Sequence, residues 1–394
     1  MNRIIGIIGL VVILGLAWIA SSHKKRIKYR PILVMIGLQF LLGYLLLNTG
    51  AGNWLIAGIA KGFGQLLQFA NEGVQFVFGG LVNNHQMTFF INVLLPIVFI
   101  SALIGILQHW RILPLVITGV GYLLSKVNGM GKLESYNGVA SAILGQSEVF
   151  ISVKKQLGKL PEHRLYTLCA SAMSTVSMAI VGSYMVLIKP EYVVTALVLN
   201  LFGGFIIASI INPYTVTPEE DTAHIKENPK KQSFFEMLGE YIMDGFHVAI
   251  TVAAMLIGFV AIMAMINALF NRLFGISFQG VLGYLFSPFA FLIGIPWHSA
   301  PQAGSIMATK LVTNEFVAMT NLSQGHFAFS ARTTAIVSVF LVSFANFSSI
   351  GIITGAVKSL NEQKGNTVAK FGLKLLYGAT LVSFLSAAVV GLIY

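Results

Sequence analysis

Apolar residues in this chain gather in runs of 17 to 25, separated by shorter stretches that carry most of the charge. A helix of about 20 apolar residues crosses the hydrocarbon core of a bilayer. The pattern therefore predicts eight membrane spans, at 4–20, 31–47, 88–107, 165–188, 192–211, 247–270, 333–357 and 368–392. The segment 52–81 mixes apolar residues with lysine, glutamine and glutamate, and we expect it to form a helix along the membrane interface.

Two polar islands lie inside otherwise apolar sequence. Positions 136–153 place Gln146, Ser147 and Glu148 side by side, and positions 310–316 set Asn314 next to Glu315. A carboxylate in hydrocarbon costs about 2.5 to 3.5 kcal/mol even on a lenient insertion scale, so it persists where it faces a cavity and a partner. Both glutamates are therefore candidate functional residues, and we expect one solute to bind between them.

The surroundings of the two islands follow the same plan. We predict re-entrant hairpins at about 130–158 and about 296–323, since basic residues flank the first island on both sides. The uncharged spans that follow them contain polar stretches at 171–177 and 343–349, whose side chains can bind carbonyls freed by a helix break. The same order of elements thus occurs twice: a span, a short helix, a hairpin, a broken span and a plain span. The two copies start on opposite sides of the membrane. This inverted repeat predicts a transporter site near the midplane.

Charge indicates the orientation. Five lysines and arginines within 24–30 are expected to hold that loop in the cytoplasm, which places the N-terminus and the C-terminus outside. The alternative for 4–20 is a cleaved signal peptide. The charged stretch 214–233 is predicted to be a cytoplasmic loop between the two halves.

Composition narrows the class to an all-α polytopic membrane protein. Charged residues make up 10%, hydrophobic residues 56%, and the mean hydropathy is +0.80, far from the soluble balance of about 25% charged. In so apolar a chain, the net charge of +11 indicates orientation rather than nucleic-acid binding. The single cysteine, Cys169, allows no intrachain disulfide, and the eight histidines show no metal-ligand spacing that would indicate an enzyme.

The side chains of the islands favour a neutral solute rich in hydroxyl groups. Ionised glutamate only accepts hydrogen bonds, whereas the amides of Gln146 and Asn314 both donate and accept. Lys310, on a continuous helix, would lie about 140° round from Glu315 and would not serve as a counter-ion for an anion. Phe344 and Phe347 offer a flat apolar surface for a ring. Nucleosides and aryl glycosides both satisfy these requirements.

Three motifs carry a family resemblance: Gly-Gln-Ser-Glu at 145–148, Asn-Glu-Phe-Val-Ala at 314–318 and Ala-Asn-Phe-Ser-Ser at 345–349. Together they resemble the concentrative nucleoside transporter family. The resemblance implies a homotrimer of subunits with eight spans and two hairpins of opposite orientation, and an importer of nucleosides such as uridine. Residues implied to face the nucleobase are Gln146, Ser147, Glu148, Ile180 and Phe344. Those implied to hold the ribose are Glu315, Asn346 and Ser349.

The resemblance also implies a division of the chain. A scaffold would comprise 1–111 and, with the cytoplasmic loop, 213–276; a mobile transport domain would comprise 112–212 and 277–394. The expected function is secondary active import across the inner membrane, driven by a cation gradient, with an elevator-like movement and no cofactor. A cation or neutral-solute channel is the alternative, which saturable counterflow would distinguish.

The coupling ion is the point at which this chain departs from the sodium-driven members of the family. They carry asparagine five residues before the glutamine, where this chain has Ser141. The implied sodium ligands are Ser141, Leu144, Thr175 and Val176, three of them through backbone oxygens. A hydroxyl is a shorter substitute for an amide oxygen at a hard cation. Proton coupling through Glu148 or Glu315 is the alternative.

Overall fold

The computed structural model describes residues 2–79, 89–217, 221, 233–325 and 327–394, and this part of the chain is helical without any strand. The helices of the first half are α1 (Asn2–Ile19), α2 (Tyr29–Asn48), α3 (Gly50–Phe78), α4 (Pro96–His109), α5 (Ile112–Ser125), α6 (Lys132–Leu144), α7 (Val149–Ser152), α8 (Lys154–Leu157), α9 (Glu162–Ser174), α10 (Met178–Leu187) and α11 (Pro190–Ile211). Those of the second half are α12 (Phe234–Phe274), α13 (Phe278–Leu292), α14 (Ala300–Val312), α15 (Glu315–Gln324), α16 (Ala331–Leu341), α17 (Phe347–Leu360) and α18 (Glu362–Ile393).

The membrane class predicted from hydropathy agrees with these helices. Among the described residues, six helical segments are long and apolar enough to cross a bilayer: Tyr29–Asn48, Phe90–His109, Glu162–Leu187, Pro190–Ile211, Phe234–Phe274 and Glu362–Ile393. The second of them joins a π turn, Phe90–Leu94, to α4. The two further predicted spans correspond to α1 and to α16 with α17, which are apolar but individually shorter.

Helix α12 begins 13 residues earlier than the predicted span at 247. A capping box starts it, because Ser233 accepts a hydrogen bond from the Glu236 amide while the Glu236 carboxylate accepts one from the Ser233 amide. Its 41 residues span about 61 Å, twice the hydrocarbon thickness. Most of the predicted loop 214–233 lies outside the described residues.

One main hydrophobic core includes residues of both α4 and α12, among them Ile97 and Ala249. Helix α12 lies along α4, and glycines let the two approach closely: a Cβ at Gly105 would lie 2.5 Å from the Tyr241 ring, and one at Gly245 would lie 2.8 Å from Ser101. The remaining face of α12 is exposed, whereas α11 and the C-terminal part of α18 are almost wholly buried in the main core.

Helices α1 and α2 have α11 and α18 as main neighbours. The buried Gln39 amide donates to the Leu199 carbonyl at 2.7 Å, and the Tyr377 hydroxyl donates to the Leu16 carbonyl at 3.0 Å. The N-terminal pair of helices is thereby attached to the core that carries the site.

The basic loops meet at one end of the bundle. Lys28 Nζ donates to the Gly129 carbonyl at 3.3 Å, and Lys364 Nζ donates to the Leu160 carbonyl at 2.6 Å. The hydrogen bond between Arg164, in the first turn of α9, and Glu134, in the first turn of α6, brings the loops that precede and follow 132–157 to the same end. The clustering agrees with the predicted distribution of charge.

The segment before α14 and the segment after α15 lie at the opposite end of the bundle. The Arg332 guanidinium donates to the Gly294 carbonyl at 2.6 Å and to the Gly391 carbonyl at 2.9 Å. The chain before α14 and the chain after α15 therefore lie together, next to the C-terminus.

A buried ion pair fixes the base of α6. Arg164 Nε lies 2.5 Å from Glu134 Oε1 and Nη2 lies 3.0 Å from Oε2, a bidentate arrangement that favours specific geometry. The Tyr214 hydroxyl adds a third hydrogen bond at 3.1 Å to the same carboxylate. Helices α6 and α9 and the segment after α11 are thus joined at one point.

Candidate functional site

The first polar island forms a sharp turn at the end of α6. Gly145 follows the last helical residue with φ +113°, a conformation essentially restricted to glycine. A Cβ there would also lie 2.8 Å from Glu148 Oε2 and 3.1 Å from Ser177 Cβ. The turn leaves Gln146 8% exposed with its Oε1 unpartnered, while the Glu148 side chain is exposed. An amide and a carboxylate are therefore presented by one tight turn.

The first broken span supports that turn. Helix α9 ends at Ser174 and α10 begins at Met178, so the predicted break at 171–177 is confirmed at its C-terminal part. Ser177 caps α10 by accepting from the Ala179 amide at 3.2 Å, and its hydroxyl donates to the Leu144 carbonyl at 3.2 Å. One side chain thus joins the break to the turn.

The second polar island is also a helix break. Helix α14 ends at Val312, and Asn314 caps α15 by accepting from the Val317 amide at 3.0 Å. Glu315 begins α15 and is 5% exposed. Its Oε1 accepts from the Tyr184 hydroxyl at 2.8 Å and its Oε2 accepts from Asn346 Nδ2 at 3.0 Å. The buried carboxylate is therefore held by both halves of the chain.

The second broken span completes the arrangement. Helix α16 ends at Leu341 and α17 begins at Phe347, as the polar stretch 343–349 predicted. Asn346 caps α17, accepting from the Ser349 amide at 2.9 Å. The Phe344 amide donates to the Thr175 carbonyl at 3.2 Å, which links the two breaks directly. The Ser349 hydroxyl is buried without a partner among the described residues.

One hydrogen-bonded path therefore runs through all four elements. It leads from the turn after α6 to Ser177, through the first break to the Phe344 amide, and through Asn346 to Glu315. Helix caps and breaks supply every step, because a break exposes backbone groups that side chains then bind. Along this path, Gln146 Oε1 and the Ser349 hydroxyl retain hydrogen-bonding capacity.

Most residues implied by the family resemblance lie on this path. Glu315 and Asn346 are directly bonded, Ser349 lies in the same turn as Asn346, and Ile180 is buried on α10. The predicted aromatic surface is uneven, because Phe344 is 8% exposed and Phe347 51% exposed. Phe347 lies at the first position of α17, where its side chain is left uncovered.

Sequence reasoning missed Tyr184, which bonds Glu315. The signal was present, because Tyr184 follows Ile180 by four residues and so shares its helix face. Its ring also packs edge-on against Phe316, with centroids 5.0 Å apart, and Phe316 contacts Phe89 at 6.2 Å. This aromatic cluster walls one side of the carboxylate.

Lys310 and Glu315 do not lie on one continuous helix. The helix ends at Val312, so the predicted angle of about 140° between the two side chains is wrong. The ammonium is directed to Ser343 and to the end of α16. Glu315 receives its hydrogen bonds from neutral groups instead.

The four candidate cation ligands lie where the turn after α6 meets the first break. The hydroxyls of Ser141 and Thr175 each donate to a carbonyl one turn earlier, at 2.7 Å and 3.1 Å. The carbonyls of Leu144 and Thr175 each accept one hydrogen bond and keep a second lone pair. The neighbouring Val176 adds a further backbone oxygen beside the first break.

Interrupted apolar helices that converge on one polar network define the protein as a polytopic membrane transporter. Three family models match the chain in succession: "Na+ dependent nucleoside transporter N-terminus" over 8–81, "Nucleoside recognition" over 90–191 and "Na+ dependent nucleoside transporter C-terminus" over 192–391. The chain belongs to the concentrative nucleoside transporter family, as its three motifs predicted.

Individual relatives match along the full length. The purine nucleoside transport protein NupG of Bacillus subtilis is 37% identical, and the match covers 100% of this chain and 99% of NupG. The nucleoside permease NupC of Helicobacter pylori is 31% identical, with 99% and 98% covered. The structure of CNTnw in an inward-facing substrate-bound state has a TM-score of 0.93 at 29% identity, covering 100% of this chain and 99% of that one. A CNTnw variant in an outward-facing state also has a TM-score of 0.93.

Proposed function

We propose that this protein is a secondary active importer of nucleosides across the inner membrane, driven by a cation gradient. The observation that carries the proposal is the Glu315 carboxylate, buried at a helix break and bonded to Tyr184 from one half and Asn346 from the other. A buried carboxylate of this kind accepts donors, and the ribose of a nucleoside presents adjacent hydroxyl donors. The nucleoside transport proteins among the relatives support the same substrate class.

The site divides between base and sugar. The base is proposed to contact Gln146, Ser147, Glu148, Ile180 and Phe344. The ribose hydroxyls are proposed to bind Glu315, Asn346 and Ser349. Carboxylates have about four lone-pair sites, so Glu315 can accept from a solute while it keeps its two protein donors. The buried Ser349 hydroxyl and Gln146 Oε1, which lack protein partners among the described residues, support this division.

An elevator-like movement is proposed for alternating access. The scaffold would be 1–111 and 213–276, in which α4 and α12 pack closely, and the mobile unit would be 112–212 and 277–394. The packing of α2 on α11 then becomes a sliding contact, and it provides a test of the division. A reducible bifunctional thiol reagent that cross-links cysteines replacing Gln39 and Leu199 is expected to stop uptake until the link is reduced. Unimpaired uptake with the cross-link intact would assign α1 and α2 to the mobile unit.

Eight spans, two hairpins of opposite orientation and an inverted repeat remain part of the proposal. The hydrogen bonds that gather the basic loops at one end, and those of Arg332 at the other, support it. Positive residues on the inner side would leave both termini outside. The exposed face of α12 supports contact with lipid or with two further copies in a homotrimer.

Both Na⁺ and H⁺ are proposed as candidate coupling ions. The oxygen set of Ser141, Leu144, Thr175 and Val176 supports Na⁺, and the family models are described as Na⁺ dependent. Serine in place of the amide favours H⁺, for which Glu148 and Glu315 are the candidate carriers.

Counterflow in proteoliposomes tests the proposal. Vesicles preloaded with unlabelled nucleoside are expected to accumulate labelled nucleoside transiently, with uptake that saturates. A channel passes solute without such exchange, so unsaturable uptake without counterflow would favour the channel alternative. Competition by uridine, adenosine, inosine and guanosine in the same vesicles measures the base preference.

A further inference from the structure

Lys310 is a buried lysine that the proposed site does not use. It is 1% exposed, and its ammonium donates to the Phe340 carbonyl at 2.6 Å, the Ser343 hydroxyl at 2.6 Å and the Ser383 hydroxyl at 3.0 Å. All three donors of the ammonium are therefore used. Among the described residues, no carboxylate oxygen lies within 4.0 Å of it.

The surroundings of this ammonium are a cage of oxygens rather than an ion pair. The two serine hydroxyls are 2.8 Å from each other, and the Phe340 carbonyl belongs to the last turn of α16. A helix C-terminus carries partial negative charge and favours a cation. The Phe340 ring adds a cation–π contact at 4.7 Å. The site is thus built for a positive charge, and the carboxylate that acts on it electrostatically, Glu315, lies beyond ion-pair distance.

The same place in the first half is where the candidate coupling cation would bind. Helices α6 and α14 each have 13 residues and end at a polar turn, and Ser141 and Lys310 each lie in the last turn. The candidate cation ligands join that last turn to the break after α9, just as Lys310 joins it to the break after α16. In the first half, these oxygens suit a mobile cation. In the second half, the oxygens surround the ammonium of Lys310, a cation that is covalently attached to the chain.

We propose that Lys310 is a tethered cation, which permanently fills in the second half the place that the coupling ion takes in the first. This inference rests on the proposed transport function. It has two consequences: only the first half binds an external cation, and the ammonium sets the path of residues 340–346. That path ends at Phe344 and Asn346, which would contact the nucleoside.

Chemical rescue tests the proposal. Lys310→Ala removes three methylenes and the ammonium, which n-propylammonium replaces. Uptake by this variant is expected to fall at least about tenfold, because the loss of one hydrogen bond to a charged group changes an equilibrium constant by about a factor of ten or more. Adding n-propylammonium is expected to restore uptake and raise the melting temperature in detergent. Tetramethylammonium is charged but has no N–H donor, and it is expected to do neither.

Lys370→Ala is the matched control, since Lys370 is an exposed lysine on α18. This variant is expected to transport normally, and neither amine is expected to change its uptake or its melting temperature. If Lys310→Ala is recovered poorly from membranes, n-propylammonium present during extraction is expected to improve its recovery. Lys310→Met keeps most of the length of the side chain without the charge and is expected to lose uptake as well.

Three results would overturn the proposal. They are unchanged uptake and melting temperature in Lys310→Met, equal effects of n-propylammonium on the Lys310 and Lys370 variants, or no effect of n-propylammonium on any property of Lys310→Ala. A failure of the transport proposal itself looks different, because the wild-type protein would then take up no nucleoside.

Discussion

Replacing Glu315 with glutamine tests the site with little change of shape. The carboxylate accepts hydrogen bonds from Tyr184 on one oxygen and from Asn346 on the other. The glutamine amide keeps one acceptor oxygen for Asn346 Nδ2, and its NH₂ group then faces the Tyr184 hydroxyl, which can accept from it. The substitution therefore removes the charge and one acceptor oxygen. A solute hydroxyl that bound the lost oxygen also loses its acceptor.

The expected magnitude follows from the strength of that bond. A hydrogen bond to a charged group contributes about 1.5 to 3 kcal/mol, and a factor of ten corresponds to about 1.4 kcal/mol. Glu315→Gln is thus expected to raise the KM for nucleoside uptake about 10- to 150-fold. Initial rates of labelled uptake into proteoliposomes measure the KM, and size-exclusion chromatography checks that the assembly is unchanged.

Glu191→Gln is the control for this substitution. Glu191 lies at the surface, 3.7 Å from Lys189, so its loss is expected to leave the KM unaltered. A Glu315→Gln protein with the KM of the wild type would remove Glu315 from the nucleoside site and refute the reasoning.

Three further predictions follow from the same geometry. Ser141→Asn is expected to increase the sodium dependence of uptake, because an amide oxygen reaches further than a hydroxyl; uptake measured over a sodium titration checks this. Gly145→Ala is expected to destabilise the turn by about 1–3 kcal/mol and to reduce uptake, because alanine rarely adopts φ +113° and its Cβ would lie too close to Glu148. Melting curves and uptake rates measure both effects. Glu134→Gln is expected to lower the free energy of unfolding by about 3–5 kcal/mol, since it removes the carboxylate charge that balances the buried Arg164 guanidinium, and unfolding in detergent mixtures measures it.

Each of these predictions has a control or an opposing result. An unchanged sodium response in Ser141→Asn would argue against the proposed cation position. Gly355→Ala, in an open part of α17, is expected to be neutral or stabilising, so an equal effect of both glycine substitutions would contradict the turn argument. Glu191→Gln again serves for the ion pair, with an expected change below about 1 kcal/mol.

The sequence predicted the helix breaks because their signals are local. Serine, threonine and asparagine within uncharged runs bind nearby backbone groups, and Ser177, Asn314 and Asn346 all became helix caps. The glutamates were candidates for an equally local reason, since a carboxylate in apolar sequence needs a partner. These inferences required no knowledge of distant contacts.

The partners of these groups depend on the tertiary structure. Tyr184 lies 131 positions from Glu315, and no periodicity relates the two. The error about Lys310 has the same origin, because a helical angle was applied across a break that Asn314 creates. The early start of α12 was a missed local signal, since Ser233 and Glu236 have the spacing of a capping box.

The central claim is that a cation gradient drives a nucleoside into the site shared by the two halves. Its most direct test is the accumulation of labelled nucleoside in proteoliposomes under a sodium gradient and a proton gradient imposed separately. Accumulation above the external concentration under one of the two, abolished by Glu315→Gln, is the predicted result. Equilibration of the labelled nucleoside to the external concentration under either gradient would contradict the claim.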